Sequence, residues 1–107
     1  MDAPVLYVVR FWVSPQGGDA VIRWLDSKHM KEVTEQPGFL WSRRCRLEED
    51  AADGWHAYLM IYGVQSRPAL EDYFNGAARA RFGEEGKQFQ HVLRAERAWG
   101  TVDARIG

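Results

Sequence analysis

His29 stands in the stretch "VIRWLDSKHMKEVTEQPGF", Val21 to Phe39, where another aliphatic residue would serve. It falls one helical turn after Leu25 and one before Val33, so the spacing turns its imidazole towards the interior rather than into water. Imidazole titrates near neutral pH, and beside a cavity it suits a general base or a ligand-orienting donor. The plainer alternative is a core histidine bonded to a backbone carbonyl, since buried polar groups are as a rule satisfied. Glu32, on the same stripe, is spaced to orient the ring or share its proton.

Arg43 is the second candidate. Alternation along "GFLWSRRCRLEE" groups it with Phe39, Trp41, Cys45 and Leu47, leaving Leu40, Ser42, Arg44 and Arg46 opposite. A guanidinium among apolar neighbours needs a carboxylate or an anionic ligand. Glu32 or Glu96 would supply an internal partner; otherwise Arg43 clamps a ligand. Arg44 and Arg46 are placed for ion pairs between subunits. Tyr62, near the end of "WHAYLMIYGV", suits hydrogen bonding to a carbonyl or phenol, and His56 shares its face. Trp12, Trp24, Trp41 and Trp99 would either wall a site for a flat apolar molecule or fill the core. Arg10 and His91 fall in predicted strands and are weighed as ligand contacts against a structural role. Cys45 reads as a small buried hydrophobe rather than an attacking thiolate.

Other chemistries leave no trace in the pattern. The histidines at 29, 56 and 91 are far apart, and no His-x-x-x-His or Cys-x-x-Cys spacing suggests a metal. There is no G-x-G-x-x-G, no P-loop and no G-x-S-x-G elbow, so neither a nucleotide, a cofactor nor a serine nucleophile is expected. "QGGD", before the first helix, is at most a loop that could hold an anion.

The elements that must position these residues follow from periodicity. "PVLYVVRFWV", Pro4 to Val13, is β-branched and aromatic almost throughout, as in a strand buried on both faces. "SPQGGD" breaks it, Asp19 is a plausible N-cap, and the helical stripe Val21, Ile22, Leu25, His29, Val33 runs to a stop at Pro37-Gly38. A second strand from Phe39 turns through the acidic "EDAADG" into a third, again apolar on both faces, which predicts an antiparallel hairpin. Ser66 caps a second helix with Pro68 in its first turn and Leu70, Tyr73, Phe74, Ala77 and Arg81 along one side; Gly76 is expected within it. "EEGKQ" then loosens the chain before a last strand, roughly Phe89 to Val102.

The order β-α-β-β-α-β predicts an α+β, ferredoxin-like domain: a four-stranded antiparallel sheet with two helices on one face. Its other apolar face needs a dry partner, most simply the same face of a second copy, so a homodimer is expected. All 107 residues fit one domain, with 46% hydrophobic and 13% aromatic residues. A net charge of −1 argues against a nucleic-acid partner. No apolar run is long enough to span a membrane, no basic, apolar leader opens the chain, and Cys45 stands alone; a cytoplasmic setting is expected.

With "WLDSKHMKEVTEQPGF" the βαββαβ order resembles the dimeric α/β-barrel superfamily, over nearly the whole chain from Val5 to Trp99. The Trp24 and His29 pair and the "RRCR" strand are most similar to a bacterial group classed as a domain of unknown function. The resemblance implies a dimer and a cavity lined by the helix histidine. It also implies a cofactor-free isomerase, lyase, cyclase or monooxygenase acting on an aromatic or conjugated small molecule. A non-catalytic, stress-responsive binding protein stays open beside it, as does haem binding of the kind some relatives show.

Overall fold

A computed structural model describes residues 2–107. Four strands, β1 (Val5–Val13), β2 (Phe39–Arg46), β3 (His56–Val64) and β4 (Leu93–Thr101), form one sheet in the order β2-β3-β1-β4, with every neighbouring pair antiparallel. The helices lie over one face. The first is continuous but not uniform: α1 (Asp19–Trp24) runs through a π-helical turn (Leu25–His29) into α2 (Met30–Thr34). The second helical region is α3 (Arg67–Phe74) and α4 (Ala77–Gly86), followed by a 3₁₀ turn (Lys87–Phe89). The ferredoxin-like architecture expected from the sequence is thus the observed one.

Several boundaries differ from the sequence reading. Gly18 rather than Asp19 takes the N-cap position, and Asp19 is the first helical residue, where its charge meets the positive end of the helix dipole. Ser66 does cap α3, accepting from the Ala69 N–H at 3.2 Å. Gly76, however, is not within a helix. Its backbone is extended (φ −90°, ψ 162°) and splits the region into α3 and α4. "EEGKQ" is helical rather than loose, so the last strand starts at Leu93 and leaves His91 in an exposed turn.

Register assigns the side chains to faces. Tyr7 pairs with Tyr62, Val9 with Met60 and Phe11 with Tyr58, all beneath the helices, and Tyr7, Phe11, Met60 and Tyr62 are buried. Leu6, Val8, Arg10 and Trp12 point the other way. A register shift between Phe39 and Trp41 breaks the alternation of β2. Phe39, opposite Val64, faces the helices, while Trp41 lies opposite Gly63 and Arg43 opposite Ile61, on the open face. Gly63 is there because the Trp41 indole crosses it: a Cβ would sit 2.4 Å from the ring. The bulge therefore overturns the expected grouping of Phe39 with Trp41, Arg43, Cys45 and Leu47. Cys45 is exposed, not a buried hydrophobe. Arg44, on the helix side, pairs with Asp26 at 2.8 Å, and Arg46 with Asp50, so both are occupied within the chain. No helix among the described residues is long and apolar enough to cross a membrane.

Candidate active site

A cavity of about 340 Å³ opens between the helices and the sheet, and His29 lines it. The π turn sets the geometry. Met30 donates to the Leu25 carbonyl five residues back, so residues five apart lie nearly above one another. Trp24 and His29 are such a pair, and their rings stack at 4.1 Å and 10°. In a regular α-helix this spacing would point them to different faces. Phe82 from α4 meets the imidazole edge-on at 5.0 Å.

His29 Nδ1 is buried without a hydrogen-bond partner. Loss of solvation in this aromatic slot pushes the imidazole down to about 4, against the opposing pull of Glu85 and Glu32. The ring is neutral at physiological pH. Glu32 does not orient it: that carboxylate bridges Lys28 at 3.1 Å and Arg81 at 3.2 Å, tying the first helix to α4.

Two glycines stand where side chains would take up part of this room. On α4 the residues lining the cavity are Arg79, Phe82, Gly83 and Gly86, spaced as one face of a helix. Apolar side chains normally fill such a stripe. A Cβ added at Gly83 or Gly86 would meet nothing within 4 Å, so neither glycine is demanded by close packing.

Hydroxyls reach the cavity from the sheet and from α3. Tyr62 is 3% exposed and lines the cavity; burial raises its phenol well above the usual range. Tyr7 stacks on Tyr62 at 5.7 Å and lies 6.3 Å from Tyr73, whose phenol burial pushes up to about 12. All three tyrosines line the space, and the Tyr7 hydroxyl accepts from Arg97 Nε at 3.1 Å. The site is thus an aromatic slot holding a neutral imidazole at one side and, at the other, the phenols of Tyr62 and Tyr73, which burial keeps protonated. Such a pair of walls suits removing a proton from a ligand and receiving the oxyanion that results.

Of the residues singled out in the sequence, His29, Trp24 and Tyr62 meet in this cavity. Arg43 does not: its Nη1 donates to the Ser42 carbonyl at 2.7 Å and its guanidinium lies over Trp41, on the open face. Trp12 and Trp41 share that open face. Trp99, 44% exposed, packs beside Phe74 outside the cavity. His56 begins β3 opposite Val13 without reaching the space, and His91 is exposed. Sequence reasoning missed Tyr7, Tyr73, Arg79 and Arg97. Strict alternation from Val5 would have put Tyr7 on the Val5–Phe11 face; nothing local marks the two arginines.

Comparison with known proteins bears on the fold. The chain matches, over residues 4–98, the family described as domain of unknown function DUF4286. No curated protein sequence matches it. Among solved structures, a mutant of SnoaB, a cofactor-independent oxygenase from Streptomyces nogalater, is 19% identical, with TM-score 0.70 over 95% of either chain. A Streptomyces coelicolor monooxygenase in complex with nanaomycin D is 19% identical, TM-score 0.68, over 97% of this chain and 91% of that one. The haem-degrader MhuD of Mycobacterium tuberculosis, with two haems in its active site, is 22% identical, TM-score 0.67, over 97% and 100%. At these identities the likeness is one of fold.

Proposed function

We propose that this chain, which belongs to the DUF4286 family, is a cofactor-free enzyme that removes an acidified proton from an aromatic or conjugated small molecule. The observation that carries the reading is the cavity beside a neutral, unpartnered His29. His29 takes the proton as general base, and Tyr62 holds the carbonyl oxygen on which negative charge develops. A base near pH 4 is weak in water. Here the imidazolium forms next to the oxyanion it creates, in a site with little water to screen the pair. Isomerisation, cyclisation, elimination and cofactor-free oxygenation all start from this step. The neighbours' names favour oxygenation, in which the carbanion passes an electron to dioxygen and the resulting radical pair combines to a peroxide, dioxygen being the oxidant.

A binding-only module, its cavity filled or merely holding a ligand, would have His29 locked to a carbonyl or to Glu32, and its Nδ1 has no such partner. Haem, bound by one neighbour, fits the residues poorly. An axial histidine is normally steadied through its second ring nitrogen by a carboxylate or carbonyl, and His29 Nδ1 has neither. Addition of haemin should leave the Soret band unshifted. The open sheet face we assign to a second copy of the chain.

Proton exchange tests the reading before any substrate is known. The wild type should accelerate deuterium uptake from D₂O into the α-carbon of 2-tetralone, and His29→Gln should lose about 10²-fold or more of that rate. Oxygen consumption with anthrone tests the oxygenase branch. If 2-tetralone binds but exchanges no faster than in buffer, the protein is a binding module and the base role fails.

A further inference from the structure

The chain holds 15 acidic residues against 14 basic ones, yet no Asp or Glu lines the cavity. Arg79, Lys87 and Arg97 do. Lys87 is paired with Glu84 at 2.8 Å. The two arginines pair with no acid among the described residues. Arg97 gives its Nε to the Tyr7 hydroxyl and Arg79 lies over the Phe74 ring at 4.5 Å, one from β4 and the other from α4, on opposite walls. Arg97 is exposed and Arg79 half-buried, so water solvates both, and neither is tied up by an acid; an anion entering the cavity meets two guanidiniums free to receive it. The guanidinium fork suits a carboxylate in particular. The neighbouring groups agree in sign, because Tyr62 and Tyr73 keep their protons and donate.

We infer that the ligand of this cavity carries a permanent negative charge, a carboxylate or an equivalent oxyanion, seated between Arg97 and Arg79 while its flat ring lies in the slot by Trp24 and Phe82. This rests on the cavity being a ligand site, as proposed above, and adds the ligand's charge class. Arg97 then sets substrate choice and orients the ring so that an acidic C–H meets His29.

A matched pair of probes separates charge from shape: 2-naphthoate and 2-naphthamide share the ring and differ by the anion. Calorimetry on the wild type should give 2-naphthoate at least about 10-fold tighter binding, the range of one charge-assisted hydrogen bond. Arg97→Gln should remove most of that preference without weakening 2-naphthamide, Arg79→Gln should remove part, and Arg97→Lys should retain part. Circular dichroism checks that each variant is folded. Should Arg97→Gln not fold, Arg79→Gln decides: loss of preference supports the inference, an unchanged preference overturns it. Equal binding of both probes to the wild type, unmoved by either Gln variant, overturns the charge assignment and leaves the aromatic slot standing. Binding of neither probe sinks the slot as well.

Discussion

On the helix side of the sheet Tyr7, Met60 and Tyr62 are buried, whereas on the opposite side Leu6, Val8, Leu59 and Ile61 are only half-buried and no helix covers them. Composition alone makes the faces look alike. One is roofed by helices over the cavity where His29, Tyr62 and Trp24 meet; the other presents an uncovered apolar strip that also carries Arg10, Arg43 and Arg94. The difference teaches that in a sheet apolar on both sides, function follows the face, and the face of each residue follows register.

The contrast is sharpest at neighbouring positions of β3. Met60→Lys places an unpaired charge in the core and should leave the domain unfolded, since several kcal/mol is comparable with the whole stability of a small domain. Ile61→Lys should leave circular dichroism intact and turn a dimer into a monomer in sedimentation. A folded, monomeric wild type at micromolar concentration would contradict the assignment of the open face.

Function divides in the same way. Where His29→Gln should slow proton exchange by about 10²-fold or more, Arg43→Ala should change its rate by less than about twofold, because Arg43 lies on the opposite face of the sheet from the cavity. Tyr62→Phe, which loses a single donor, should reduce the exchange by about 10- to 100-fold with little change in affinity.

Stability against pH offers a smaller effect. His29 has a folded pKa of about 4 against an ordinary 6.5, so between these values the unfolded chain binds the extra proton. Stability should fall as pH drops from 6.5 to 4, by up to about 3 kcal/mol from this residue. Urea titrations of wild type and His29→Gln should diverge within that window and run parallel above it. The carboxylates held down by Lys28 and Arg94 lose their contribution at lower pH in both proteins. Smallest of all, Gly83→Ala should raise stability by about 0.5–1 kcal/mol, as helical glycines allow. It should also weaken binding of 2-naphthoate, since its methyl group enters the cavity.

Much of this was legible in the residues. The order of elements along the chain, the Pro37-Gly38 stop and the inward turn of His29 follow from periods of two and 3.6 with their breaker residues, which the structure obeys over most of the chain. Arg43 was misplaced because one extra residue, Leu40, shifts the register between Phe39 and Trp41 and reverses the face of everything after it. Alternation has no means of seeing a bulge that only the partner strand defines. The π turn is likewise silent in "LDSKH", whose residues would all sit in an ordinary helix. Arg97 stayed hidden because β4 is an edge strand with little burial, so its inward and outward residues look alike in sequence. The glycines of α4 read as a loosened chain, when what they supply is volume.

The claim on which the rest turns is that a neutral imidazole borders an open cavity. An NMR pH titration of the histidine side chains, assigned through His29→Gln and repeated with 2-naphthoate, tests it directly. His29 should titrate near pH 4, and its ring signals should move when the probe is added. A midpoint close to 6.5 with no response to the probe would put that ring in water and contradict the account.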